Sequence, residues 1–192
     1  MEKILNDRNL YDLLDRVDKD LAEKAQQEGC DHCREGRLHC GDYKREPRGG
    51  PNEILDKWNK RYSFCCSREG CRKRKTPPSV RFLGRKVYLG VVVVLAAAMM
   101  HGPNAQRIGK LHDALGMDVR TLRRWRQWWL EVFVRKPFWK AKRARFMPVL
   151  DETVMPYCLV EQFKALGRGG LIKLMEFLAP ITIDSAKGVA AM

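Results

Sequence analysis

Two close pairs of cysteines, Cys30-Asp-His-Cys33 and Cys66-Ser-Arg-Glu-Gly-Cys71, are the side chains whose types and spacing point most directly to chemistry. Thiolates held this near one another can converge with a distant pair on one tetrahedral ion, and an all-cysteine zinc site contributes folding energy that a small module lacks by itself. Cys65 competes with Cys66 for the third position. Strand alternation favours Cys66, which shares parity with Tyr62 and Phe64, so the expected zinc ligands are Cys30, Cys33, Cys66 and Cys71. His39 is the substitute ligand if one cysteine drops out, Cys40 follows it, and Cys158 sits in an apolar helical pattern as a small buried side chain.

The total of seven cysteines is odd, and the opening residues Met-Glu-Lys-Ile-Leu-Asn lack the charged-then-apolar pattern of a secretory signal. Metal binding in a reducing, cytoplasmic and nucleoid-associated setting is therefore expected over a disulfide framework. The apolar run from Val87 to Met100 is about fourteen residues. That is short of the roughly twenty that span a bilayer, which predicts a buried helix and no membrane partner.

Lys and Arg number 37 against 23 Asp and Glu, a net charge of +14, and the excess is concentrated in two blocks. Residues 61–90 hold nine basic and one acidic side chain, and residues 107–146 hold twelve and three. Such clustering suits a polyanion, because neutralised phosphates release condensed counterions. Arg72, Lys73, Arg74 and Lys75 run directly out of the second cysteine pair, and Arg81 and Arg85 follow. These are expected to contact phosphates beside the metal module, which fixes register without reading sequence. A later series, Arg135, Lys136, Lys140, Lys142, Arg143 and Arg145, extends the same track.

The elements that must position these groups fall into four segments. Residues 1–28 form an amphipathic helix with Leu10, Leu13, Leu14, Val17, Leu21 and Ala25 inward and Gly29 at its end; it packs on the ribbon or pairs with a second copy as a homodimer. Residues 29–82 form a metal-stapled ribbon. Arg48-Gly-Gly-Pro51 is a loop between its cysteine pairs, Arg61-Tyr-Ser-Phe-Cys-Cys66 a strand, and Thr76-Pro77-Pro78 the stop. Residues 83–146 hold the buried helix, a helix from about Ala105 to Leu115 with Ile108, Leu111 and Leu115 inward, a Gly116-Met-Asp118 turn, and a basic helix from Val119 to about Val134 capped by Asp118. Residues 147–192 carry two short helices and little net charge. The fold class is mainly α, with a small zinc-ribbon β module and a helix-turn-helix core.

On the basic helix, Leu122, Trp125, Trp129, Val132 and Phe133 form the inward stripe. Arg120, Arg123, Arg124 and Gln127 then share the outer face, with Thr121 and Trp128 at its margins. Arginine bonds bidentately to guanine O6 and N7, and glutamine to adenine N6 and N7, so this face has the side chains that major-groove readout uses. Trp128 and Trp139 serve either as core or as base-stacking platforms.

The string Ser63-Phe-Cys-Cys-Ser-Arg-Glu-Gly-Cys-Arg-Lys-Arg-Lys-Thr-Pro-Pro-Ser79, followed by Arg81-Phe-Leu-Gly-Arg-Lys-Val-Tyr88, resembles the zinc-ribbon segment at the front of insertion-sequence transposases. In that family a helix-turn-helix follows, as the pattern from Gln106 to Val134 does here, so the similarity covers about residues 29–134. The family's second cysteine pair is usually CxxC, whereas this one has four intervening residues. The resemblance implies recognition of element-end double-stranded DNA, with a separate transposase or recombinase subunit as partner. The carboxylates after Val134, namely Asp151, Glu152, Glu161, Glu176 and Asp184, lie in short helical or loop patterns and not in the alternating strands and helices that two-metal strand transfer needs. The expectation is a non-catalytic DNA-binding protein. A helix-turn-helix transcriptional regulator and an RNA-binding zinc protein are the alternatives.

Overall fold

The computed structural model describes Ile4 and residues 7–45, 57–83, 88–101 and 117–186. Helix α1, Arg8–Gln27, begins where the Asp7 carboxylate accepts the Asn9 N–H at 2.9 Å, filling one of the orphan donors of a first turn. It ends where Gly29 takes a positive φ of 75°, with the Glu28 and Gly29 N–H groups closing back on the Lys24 and Gln26 carbonyls. Tyr11, Leu14, Asp18, Ala22 and Ala25 are the buried face. Leu13, expected inward, is 44% exposed, because the true stripe runs 11–14–18–22–25 and leaves position 13 well off it.

After the turn at Cys30–Cys33 come five short strands: β1, Leu38–Cys40; β2, Tyr43–Lys44; β3, Lys60–Arg61; β4, Phe64–Cys66; and β5, Arg74–Lys75. Strands β1, β4 and β5 form an antiparallel sheet in that order, with Leu38 opposite Cys66, His39 opposite Cys65, and Cys65 opposite Arg74; β2 and β3 pair separately. Strand pleating therefore sends Cys66 and Cys65 to opposite faces. The expected loop Arg48–Pro51 lies outside the described residues.

Helix α2, Gly90–Met99, is apolar on all sides and buried on nearly all of them, as a helix at the centre of a core must be. Gly90 is needed there: its N–H bonds the Arg81 carbonyl at 2.6 Å, and a Cβ would meet Met175 and Leu83 at 2.9 and 3.0 Å. No helix among the described residues is long and apolar enough to cross a membrane. Helix α3, Val119–Gln127, starts at Asp118, whose carboxylate accepts the Arg120 N–H at 2.6 Å. Past Gln127 the backbone widens into a π-helical turn, Trp128–Val132, in which the Phe133 N–H reaches the Trp128 carbonyl, and then tightens into a 3-10 turn, Phe133–Arg135. The extra residue in that turn carries Trp128 and Trp129 inward together and leaves Val132 38% exposed, so the regular 3.6-residue stripe expected through Val132 fails at this point. The expected helix from Ala105 to Leu115 lies outside the described residues.

Helices α4, Pro137–Lys142; α5, Tyr157–Lys164; α6, Gly170–Leu178; and α7, Ile181–Ala186, complete seven α-helices among the described residues, so the chain is mainly helical with a small antiparallel sheet. One apolar core draws Tyr11 and Leu14 from α1, Trp58 and Phe82 from the strand region, α2, the aromatic series Trp125, Trp129, Phe133 and Trp139, and Leu174 and Leu178 from α6. The apolar stripe of α1 is thus covered by its own chain.

A buried polar node fixes the strand region to that core. The Asp18 carboxylate accepts from Ser79 Oγ at 2.7 Å, Val80 N at 2.6 Å and Arg81 Nε at 2.8 Å. Arg81 also reaches Asp15 at 2.8 Å, the Trp58 carbonyl at 3.2 Å and the Lys60 carbonyl at 2.8 Å, and the Ser79 N–H donates to Thr182 Oγ1 at the start of α7. Asp18 and Arg81 are each 1% exposed, and a charge so deeply placed is tolerated only when its partners surround it. Arg81, expected on phosphate, is therefore a structural cation of the interior.

Candidate metal centre and basic surfaces

The positive φ of Gly29 turns the chain out of α1 directly into Cys30. Arg34 takes φ of 58° immediately after Cys33, with its N–H on the Cys30 carbonyl at 3.0 Å; Arg72 takes φ of 44° immediately after Cys71, with its N–H on the Arg68 carbonyl at 3.2 Å. Each cysteine pair therefore closes a tight turn that ends in a left-handed residue, and both turns aim their sulfurs at one point. Between the second pair, Gly70 takes φ of 83°, and the Cys66 N–H then rejoins β5 through the Lys73 carbonyl at 3.0 Å.

The four sulfurs of Cys30, Cys33, Cys66 and Cys71 all lie within 4.8 Å of one another, with Cys30 to Cys71 at 3.7 Å and Cys33 to Cys66 at 3.5 Å. Four sulfurs bound tetrahedrally at about 2.3 Å stand about 3.8 Å apart, so the cluster has the size of a filled site, and no pair approaches the roughly 2.05 Å of a disulfide. On a tetrahedral ion four cysteines would fill every position and leave none for a reacting water. No family model, no curated protein and no solved structure matches this chain.

Backbone N–H groups supply a second layer around the sulfurs. Those of Cys33 and His32 point at Cys30 and hold its thiol below the usual range; those of Glu35 and Gly36 do the same for Cys33, lowering it to about 6. Cys66 is 1% exposed, and burial pushes its thiol up to about 12, with the neighbouring thiols adding to the effect. Four thiolates cannot share so small a space without a cation, so the most buried one keeps its proton until a dication replaces it. A Cβ at Gly36 would run into Cys66 Sγ, so only glycine lets the first turn close over the second. Ala22, Leu38 and Phe64 pack around Cys30 and Cys66 as a small apolar cluster of their own.

Cys65 and His39 face each other across β4 and β1 on the opposite side of the sheet and are not in the group. Cys40 is exposed, and the half-buried Cys158 thiol donates to the Asp151 carbonyl at 3.3 Å, with burial raising it to about 11.

Around the cysteine cluster, the expected phosphate contacts divide. Arg72 and Lys73 are exposed. Arg74 is exposed but donates to the Gly41 carbonyl at 3.2 Å and Ser63 Oγ at 3.3 Å, with Tyr43 5.6 Å from its guanidinium. Lys75 is a correction: its ammonium sits 2.7 Å from Asp31 and 3.2 Å from Glu28 and donates to the Gly29 carbonyl, so it ties the end of α1 to the first cysteine turn. Arg85 lies outside the described residues.

On α3, Arg120, Arg123, Arg124 and Gln127 are exposed along the side opposite buried Leu122 and Trp125, and Thr121 is half-buried beside them. None of these arginines has a carboxylate partner among the described residues. The Gln127 amide nitrogen donates to both oxygens of Glu131. All five tryptophans are buried, so Trp128 and Trp139 belong to the core and present no stacking surface. Sequence reasoning missed Gly36, the Asp18–Ser79–Arg81 node and Glu131. A glycine three residues after Cys33 was a signal for the first; the node joins residues about sixty positions apart and left no local mark.

Proposed function

We propose that this chain is a non-catalytic, zinc-dependent DNA-binding protein of transposon type. In this reading a zinc ribbon built on Cys30, Cys33, Cys66 and Cys71 is followed by a helix-turn-helix whose second helix is α3, and the two together recognise element-end duplex for a separate transposase or recombinase subunit. Zinc is the ion that four cysteine thiolates in a tetrahedral, closed site suit best, and its role there is to hold the sheet, not to activate a substrate. Arg120, Arg123, Arg124 and Gln127 read base edges in the major groove, with Thr121 beside them, while Arg72, Lys73 and Arg74 hold phosphates.

The observation that carries this reading is the arginine stripe of α3, without an ion-pair partner among the described residues and laid over a fully buried Leu122 and Trp125. Three exposed guanidinium groups on one face, none of them paired with a carboxylate among the described residues, present the donors and the charge that a duplex groove accepts. A transcriptional regulator would use the same face, with dimerisation through a surface other than the buried stripe of α1. The RNA-binding alternative depended on exposed tryptophans, and all five are buried.

The test is a fluorescence-anisotropy competition between labelled duplex and single-stranded RNA at one fixed salt concentration, repeated across a salt series. The reading expects duplex to win, with affinity falling linearly in log salt. Equal or stronger binding of the RNA contradicts it.

A further inference from the structure

We infer that Glu131 sets which base Gln127 accepts on the outer face of α3; this rests on the duplex-reading role proposed for that face. Gln127 Nε2 lies 3.2 and 3.1 Å from the two carboxylate oxygens of Glu131, four residues on and across the junction into the π-helical turn. A carboxylate only accepts, so the amide nitrogen must be the atom turned toward it, and the glutamine oxygen is the atom left facing outward. A free glutamine reads adenine with both ends of its amide, but here one end is committed.

What the pair offers to a groove is therefore mainly acceptors: Gln127 Oε1 and the remaining lone pairs of Glu131. Cytosine N4 and adenine N6 donate in the major groove and satisfy them. Guanine O6 and thymine O4 are acceptors, and set against a carboxylate they are left unpaired and repelled. Glu131 is exposed, and Gln127 is its one hydrogen-bond partner among the described residues, so no arginine of the stripe neutralises it. A carboxylate that no arginine neutralises weakens contact with every phosphate backbone, and it gains a favourable partner only over an amino-bearing base. That combination discriminates by penalty as much as by attraction.

The experiment is selection of bound fragments from a random duplex library with the wild-type protein, Glu131→Ala and Glu131→Gln. The wild type is expected to show one position favouring adenine or cytosine by roughly tenfold. Glu131→Ala frees the whole Gln127 amide, so it narrows that position to adenine with loss of cytosine, and it raises affinity for all fragments, since the repelling charge is gone. Glu131→Gln turns the preference toward guanine or thymine, because the new amide can hold Gln127 Oε1 and leave donors facing the groove. Equal gains in affinity from both variants with the base preference unchanged would overturn the assignment, as would a wild-type selection with no amino-bearing position. A wild type that selects no duplex at all removes the duplex reading itself and this inference with it. Thermal melting of both variants should match wild type, which separates a readout role from a merely structural one.

Discussion

The cysteine module and helix α3 are both basic, yet they treat their charges in opposite ways. Around the cysteines, several positive side chains are already engaged: Lys75 with Asp31 and Glu28, Lys60 with Asp42 at 2.8 Å, Arg68 with Glu35 at 2.8 Å, and Arg81 with Asp15 and Asp18. Along α3, Arg120, Arg123 and Arg124 have no such partner among the described residues. Net charge per segment is thus a poor guide to which surface is free to bind. Apart from exposed Arg72 and Lys73, these cations of the module hold the chain together, and the cations of the helix face outward.

Chelation of a bound ion, or loss of one of its cysteines, should separate the two regions most sharply. Structural zinc contributes on the order of 10–16 kcal/mol in small peptides, so chelation, or Cys66→Ser, is expected to open β1, β4 and β5. Hydrogen exchange should rise sharply at residues 30–44 and 60–75 while α2 stays protected, because the cysteine cluster and the helical core are separate apolar clusters. Uniform loss of protection would show that the two regions are one cooperative unit.

Next in size is Arg81→Ala. Removing Arg81 leaves the buried Asp18 without a cation, while Asp15 keeps Lys19 at 2.9 Å, and should cost about 3–5 kcal/mol in chemical denaturation. Asp18→Asn removes the other partner and leaves the Arg81 guanidinium buried without its carboxylate, so it should be similarly harmful. On the other side, Arg124→Ala should leave the denaturation midpoint unchanged and cost about 1–3 kcal/mol of discrimination at one base position, whereas Lys73→Ala should weaken all duplexes alike and lower the salt slope by about 1. If Arg124→Ala instead weakened every sequence equally, α3 would contact phosphates and not bases. Asp118→Ala, which removes the cap of α3, should cost about 1 kcal/mol of stability in the same denaturation assay. The smallest effect belongs to Lys75→Ala, under about 1 kcal/mol, because Asp31 and Glu28 are 66% and 54% exposed and water screens the pair.

What the sequence disclosed, it disclosed through short-range rules. Parity with Tyr62 and Phe64 was enough to choose Cys66 over Cys65, because a strand fixes faces with a period of two. Asp118 announced the start of α3, and an apolar run of helical length announced α2. What stayed hidden required partners far along the chain or a break in periodicity. Arg81 reads as one more residue of a basic block until Asp15 and Asp18 are brought to it, and Lys75 until Asp31 and Glu28 are. Val132 and Trp128 exchanged places because one π-helical turn shifts the stripe, and nothing in the local composition marks that turn.

X-ray absorption at the metal edge of the purified protein tests the account most directly. One ion per chain with a single shell of four sulfurs at about 2.3 Å is the predicted result. A shell that includes nitrogen or oxygen, or folded protein with no stoichiometric metal, would contradict it.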